Sequence, residues 1–381
     1  MTISSLSWLK KPAFSLPASF DQGPTPYFRG RTSIQEDFEN ASASALESGD
    51  GTVFLVYGAP GAGKTALLDQ CRERAEKQGW NAIKIRTDTL LSPRKMMQAL
   101  GYGKIPGIDT ISVNLSDAVK MEIMTSKANH PHTSDVVGKR KKKPLLLIMD
   151  ESQKLASAHE HPIERREDLE GLLEDIHNGE LNKPVILLTA GLATTPSVFR
   201  SLGISRFSEK YNIKLGPLSK NSERAVIFAW ITKDVNVKED PEEWIDAIVK
   251  ETHGWARHVH SYARHASEYL KANGRIMTPD GLNAVLELGR SRRIQYYEQR
   301  TDEFYADQLQ CLIESIPDTL SGIDADMQDI MSALINKYGK KEAKNLFDSF
   351  IEKGILEKNK DGLFIVTPSL HSWLVDEYGK N

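Results

Sequence analysis

The chain has 381 residues, long enough for two or three domains with a substantial core. Charged residues make up 27% of it, the formal net charge is −3, and no apolar run approaches the roughly 18 residues of a membrane span, so neither a membrane protein nor a globally basic nucleic-acid binder is expected. Cysteine occurs only at Cys71 and Cys311, which leaves no disulfide framework or cysteine-based zinc site and fits a reducing, cytoplasmic location; Lys10-Lys11 is followed by no continuous apolar segment, so no secretory leader is expected.

Residues 1–27 hold Pro12, Pro17, Pro24 and Pro26 among serines and scattered aromatics, which predicts an extended arm. Phe28-Arg29-Gly30-Arg31 follows, and Ser33 with Glu36 three residues later reads as a capping box opening a helix to about Glu47. Gly49-Asp50-Gly51 ends it. The apolar run Val53 to Tyr57 then enters Gly58-Ala59-Pro60-Gly61-Ala62-Gly63-Lys64-Thr65, a complete G-x-x-x-x-G-K-[ST] loop, and a helix-forming stretch starts at Ala66-Leu67-Leu68. In this strand, loop and helix, the glycines let successive N–H groups turn toward a β-phosphate. Lys64 adds charge to the β- and γ-oxygens, and the Thr65 hydroxyl is placed to ligate Mg²⁺. The pattern predicts binding of a nucleoside triphosphate with Mg²⁺.

Asn81 to Arg86 reads as the next strand, and Ser92-Pro93 opens a short helix. Residues 101–143 are irregular, with a strand at Ile111 to Leu115, a helix at Ser116 to Thr125 and the basic run Lys139 to Lys143. Such a run is either a solvated loop edge or a nucleic-acid contact. His130, His132, His159 and His161 lack carboxylates or cysteines at ligand spacing, so no metal is assigned to them. Leu145 to Met149 is a continuous apolar run, as in a strand buried on both faces, and it ends in Asp150-Glu151. At the carboxyl end of such a strand Asp150 can hold Mg²⁺ through water and Glu151 can polarise the attacking water, which predicts hydrolysis as well as binding.

Asn182-Lys183-Pro184 does not read guanine, because the fourth position is Val185 and the tripeptide precedes a strand instead of ending one. That strand, Val185 to Thr189, carries a hydroxyl at its carboxyl end, either near the γ-phosphate or bonded to its own backbone. Arg200 and Arg206 precede a fifth strand, Tyr211 to Leu215. From Ser219 the pattern is helical throughout, with helices from Ser219, Asp240-Pro241, Gly254 and Thr278-Pro279, the last ending in the basic patch Arg290, Arg292, Arg293 and Arg300. Beyond Thr301, helices at Phe304 to Ile316, Asp326 to Tyr338 and Lys340 to Lys353 precede a hairpin across Asn359 to Gly362 and a helix from Pro368, a winged-helix pattern. Lys340, Lys341 and Lys344 begin the helix that would enter a major groove, yet residues 302–381 carry 15 acids against 8 bases, a net of −7 that opposes phosphates.

This order of elements resembles the AAA+ ATPases of the origin-recognition initiator clade and the related archaeal-type and STAND ATPases, over nearly the whole chain. The resemblance implies an α/β fold with a P-loop parallel-sheet core (28–217), a helical lid (218–300) and a C-terminal winged helix (301–381) behind the arm (1–27). Phe28-Arg29-Gly30-Arg31 is similar to the Phe-x-Gly-Arg motif that opens the domain near the adenine, placing Phe28 and Arg29 beside Gly58 to Ala66 in the ATP site. Asp150-Glu151-Ser152-Gln153 is similar to the Asp-Glu-Ala-Gln form of Walker B, and Thr189 stands at the sensor-1 position, where Asn is commoner. Ile204 to Phe207 resembles the segment bearing an arginine finger, with Arg206 chosen over Arg200. Gly216-Pro217-Leu218 matches the hinge of STAND-like members. His253 to Arg257 resembles the Gly-x-Pro-Arg sensor-2 turn, with Ala256 in place of proline and Arg257, or else His258, as the sensor. Two roles are implied: an oligomerising ATP-driven switch on duplex DNA, of initiator, loader or transposon target-selector type, or a regulatory ATPase controlling a protein effector without direct DNA binding.

Overall fold

A computed structural model describes residues 27–49, 51–90, 95, 144–160, 163–178, 183–202, 211–237, 239–316, 327–358 and 363–379. The chain divides into two compact units, one made of residues 32–57 and 67–214 and the other of residues up to 31, 58–66 and from 215 on.

The first unit is a sheet wrapped by helices. Its strands β1 (Thr52–Tyr57), β2 (Asn81–Ile85), β3 (Leu145–Met149), β4 (Val185–Gly191) and β5 (Asn212–Lys214) are ordered β2-β3-β4-β1-β5, and every pairing is parallel. β3 and β4 are buried at every position, as their unbroken apolar runs require of central strands covered on both faces. Around them stand α1 (Thr32–Ser48), α2 (Lys64–Lys77), α3 (Thr87–Leu90), a 3₁₀ segment (Ser152–Glu160), α4 (Ile163–Asn178) and α5 (Thr195–Ser201). Leu147, Leu169, Leu173, Leu187 and Phe199 meet in the core beneath. Helix α1 starts at Thr32, so Ser33 lies inside its first turn instead of capping it.

β4 runs two residues past Thr189, so that residue is not the end of its strand. The register nonetheless pairs Thr189 with Met149, the last residue of β3, and with Leu55 of β1. The carboxyl ends of the three central strands therefore lie together, with Asp150 following β3 and Gly58 following β1.

The second unit holds the phosphate loop and everything after β5. Its helices are α6 (Lys220–Phe228, continued as a π-helical turn over Ala229–Asp234), α7 (Glu242–Thr252), α8 (Ala256–Ala272) and α9 (Pro279–Thr301). Trp230, Trp244, Ile248, Val259, Tyr262 and Val285 form their shared core. α10 (Ala306–Glu314), α11 (Met327–Tyr338), α12 (Lys340–Glu352), the antiparallel pair β6 (Leu356–Lys358) and β7 (Leu363–Ile365), and α13 (Pro368–Tyr378) follow. These pack on Leu312, Ile330, Phe350, Ile365 and Trp373. The expected arm, the 92–93 helix start, the elements within 101–143, the run Lys139 to Lys143 and Arg206 lie outside the described residues.

Candidate nucleotide site

The phosphate loop is held from behind, carbonyl by carbonyl. Lys64 Nζ donates to Gly58 O at 2.9 Å and to Ala59 O at 3.0 Å, the Tyr296 hydroxyl to Pro60 O at 3.0 Å, Arg257 N to Gly61 O at 3.0 Å, and Arg31 Nη2 to Ala62 O at 3.4 Å. Five consecutive carbonyls thus accept from donors spread across the unit. Gly61 has φ 86°, and a Cβ there would meet Trp255 Nε1 at 2.8 Å, so the loop's approach to the α7–α8 turn requires glycine. Lys64 is buried, 8% exposed, and Ala59 and Ala62 pack inward.

Arg31 is the binding-motif residue that sequence reasoning passed over in favour of Phe28 and Arg29. Arg29 Nη1 turns onto Phe28 O at 2.7 Å, within its own segment. Arg31, in a left-handed backbone conformation, reaches Gly216 O and, at 3.2 Å, Pro217 O in addition to Ala62 O. One guanidinium joins the phosphate loop to the Gly216-Pro217-Leu218 hinge, and burial lowers its pKa from the ordinary arginine value. The signal available in sequence was its place as the last residue of the Phe-x-Gly-Arg motif. Leu218 N donates to Gly254 O at 2.7 Å, so the hinge is pinned on its other side by the turn that opens α8.

That turn comprises His253 at φ 48°, Gly254 at φ 74° and the buried Trp255. Glu223 of α6, 3% exposed, accepts from Gly254 N at 2.7 Å and from the Thr252 hydroxyl. Glu223 and Leu218 fix the turn through its backbone, with Ala256 standing where the expected motif has proline. Arg257 emerges with its guanidinium 4.1 Å from the centroid of the Tyr296 ring. His258, its local alternative, is buried between the rings of Tyr296 and Tyr297, and burial followed by the charges of Arg293, Arg300 and Arg257 pushes its pKa well below the usual imidazole value. The arginine cluster on α9 is largely committed: Arg290 and Arg293 both pair with Glu251, Arg292 donates to Gln295, and Arg300 bonds the end of α12.

In the first unit, Asp150 and Glu151 leave β3 with Glu151 at φ 56°. Asp150 Oδ1 accepts from Glu151 N at 2.9 Å. Gln153 Nε2 donates to Glu151 Oε2 at 2.6 Å, while its Oε1 accepts from Leu192 N at 3.2 Å just past β4. Ser152 Oγ donates to Ala190 O at 2.7 Å, stitching the same two strand ends. Thr189 is fully buried, and its hydroxyl has no hydrogen-bond partner among the described residues; the alternative of a bond to its own backbone is not what is seen. Among these residues no helix is long and apolar enough to cross a membrane.

Residues 27–188 match the AAA ATPase domain family. No curated protein matches the sequence. Among solved structures, the ORC2 protein of Aeropyrum pernix in ADPNP–ADP complexes superposes with a TM-score of 0.57 at 19% identity, covering 93% of this chain and 94% of that one. The Walker-type ATPase paby2304 of Pyrococcus abyssi gives a TM-score of 0.51 at 16% identity over 93% and 99%. At these identities the likeness is one of fold. Over residues 27–188 the chain is similar to the AAA ATPase domain family, and its parallel-sheet α/β core has the P-loop AAA+ fold, as the likeness to an archaeal ORC protein shows.

Proposed function

We propose that the chain binds ATP with Mg²⁺, hydrolyses it, and uses the cycle as an oligomerising switch that acts on duplex DNA. The observation that carries the nucleotide reading is the phosphate loop whose carbonyls from Gly58 to Ala62 are all engaged from within their own unit. A loop so held commits its acceptors to protein donors, and apart from Ala62 N, which donates to Ala59 O at 3.3 Å, its glycine-rich turn can offer N–H groups to an anion. Lys64 supplies the positive charge, and Phe28 and Arg29 open the segment assigned to the adenine side.

The Thr65 hydroxyl and Asp150 carboxylate are the hard oxygen donors that Mg²⁺ takes, and a Mg²⁺ held by them would neutralise charge on the β- and γ-phosphates. Glu151 orients and polarises the attacking water. The Thr189 hydroxyl, buried and without a hydrogen-bond partner among the described residues beside the end of β3, is the chain's reader of the γ-phosphate. Arg257 and Arg206 stabilise charge developing on phosphate oxygens; if Arg206 acts on a neighbouring copy, hydrolysis requires assembly.

DNA contact is supported by Lys340, Lys341 and Lys344, exposed at the start of α12 directly after the Gly339 turn. One observation favours the alternative of a protein effector: Glu251 engages Arg290 and Arg293, so the α9 cluster offers phosphates less charge than its sequence promises. Fluorescence anisotropy of labelled duplex DNA in ATP–Mg²⁺ and then ADP–Mg²⁺, at two salt concentrations, separates the two. Binding that needs ATP and falls steeply with salt supports the DNA switch. Absence of binding in either nucleotide at low salt rejects it in favour of a protein partner.

A further inference from the structure

Two contacts reach the phosphate loop from far along the chain. The first is the Tyr296 hydroxyl on Pro60 O, 236 residues apart. The second is Gly354, where a Cβ would stand 2.3 Å from Pro60 Cδ, 2.8 Å from Arg300 Nη2 and 3.2 Å from Pro60 Cγ. Gly354 ends α12: its N donates to Ile351 O at 3.0 Å, and its φ is 64°. Arg300 fixes this turn, its Nε and Nη2 donating to Lys353 O at 2.9 and 2.7 Å and Nη2 also to Gly354 O. Tyr296 and Arg300 are four residues apart on α9 and hence on one face, and the Arg300 guanidinium lies 5.2 Å from the Tyr296 ring. Arg300 is 6% exposed, so this linkage is inside the protein and not a surface accident.

We propose that Tyr296 and Gly354 are positioning residues of the phosphate loop, through which the α10–α13 segment sets the affinity for the nucleotide phosphates. Tyr296 holds the Pro60 carbonyl, and Gly354 sets how far the Pro60 ring can retreat. Arg300 makes the two act together by tying the end of α12 to the face of α9 that carries Tyr296. A partner that shifts α12 would therefore move the loop without touching the nucleotide. The inference rests on the nucleotide-binding reading given above but not on the choice between DNA and protein.

A competing account is that Gly354 merely ends a helix in the left-handed conformation, a common use of glycine. Asparagine separates the two, because it tolerates that conformation while adding a Cβ. The experiment measures affinity of the full chain for a fluorescent N-methylanthraniloyl-ATP with Mg²⁺, alongside the melting temperature. Tyr296→Phe, which keeps the ring and loses only the hydroxyl, is expected to weaken binding about 3- to 10-fold with little change in melting. Gly354→Asn is expected to weaken it by about tenfold or more, and the share of that loss due to the proline ring should vanish in the Pro60→Ala background, where Cγ and Cδ are gone, while the share due to crowding of Arg300 Nη2 remains. Folded Tyr296→Phe and Gly354→Asn proteins with wild-type affinity, or a Gly354→Asn loss that Pro60→Ala leaves unchanged, would overturn the proposal. If the wild-type protein itself binds no nucleotide, the reading beneath it fails instead.

Discussion

The side-chain amide of Gln153 donates to the carboxylate of Glu151 at 2.6 Å while its carbonyl oxygen accepts from Leu192 N at 3.2 Å. A residue two positions past Glu151 thus fixes that carboxylate against the end of the neighbouring strand. The left-handed backbone at Glu151 accompanies this arrangement. Glu151→Gln keeps an oxygen that can accept from Gln153 but removes the base, so the protein should fold and bind ATP normally. Turnover should fall by about 10² or more, the scale on which a lost general base is felt. Steady-state ATPase rates beside nucleotide affinity check this, and unchanged turnover would mean that another group orients the water.

Lys64 gives two hydrogen bonds to the loop it serves, to Gly58 O and Ala59 O. Lys64→Ala removes both these bonds and the charge offered to the phosphates. With charged hydrogen bonds contributing about 1.5–3 kcal/mol each, ATP affinity should fall by about 100-fold. Isothermal titration with ATP–Mg²⁺ reads it directly; tight binding with full turnover in this variant would refute the site.

The site's local half was legible in sequence because it is continuous. Strand, glycine-rich loop and helix occupy consecutive residues, and the apolar run ending at Met149 announces both a buried strand and the acids after it. The supporting contacts were not legible, because they join residues whose separation in sequence carries no pattern. Tyr296 lies 236 residues from Pro60 and Arg31 lies 185 from Gly216. Charge misled for a similar reason: Arg290, Arg292 and Arg293 read as a basic patch, while the carboxylate that engages two of them, Glu251, sits on another helix. Thr189 reads in sequence as the carboxyl end of its strand, yet the strand continues to Gly191; that it stands opposite Met149, the last residue of β3, was not legible, since the register depends on β3 and β4 together.

Arg31 holds three carbonyls, those of Ala62, Gly216 and Pro217. Arg31→Ala leaves them to water or unpaired, and destabilisation by about 2–4 kcal/mol is expected from the loss of charged bonds to partly buried acceptors. Arg31→Lys should recover only part, because an ammonium cannot span the three as a planar guanidinium does. Thermal melts of both variants decide it, and an Arg31→Ala protein that melts with the wild type would deprive the clamp of any part in stability.

His258 gives the protein a pH dependence with a definite sign. The residue is 2% exposed, and among the described residues neither ring nitrogen has a hydrogen-bond partner. The Tyr296 and Tyr297 rings pack against it, and the charges of Arg293, Arg300 and Arg257, with His253, add to the cost of burial in disfavouring the imidazolium. The folded pKa is thus depressed, and the unfolded chain takes up the proton first as pH falls. The stability held by neutral His258 is complete above the unfolded value of about 6.5 and is lost below it, at up to about 1.4 kcal/mol per pH unit. Melting temperature should therefore fall between pH 7 and pH 5. Glu251 titrates in a different window: burial opposes its ionisation, but the hydrogen bonds and charges of Arg290 and Arg293 hold its pKa below the usual carboxylate value. Its contribution is present above about pH 4.5 and is lost only at lower pH. His258→Leu removes the titrating group without leaving a polar atom behind, so the slope from pH 7 to pH 5 should flatten while the loss below pH 4.5 remains. Parallel melting curves for variant and wild type across pH 7 to 5 would show that the imidazole takes up its proton in the folded protein without cost.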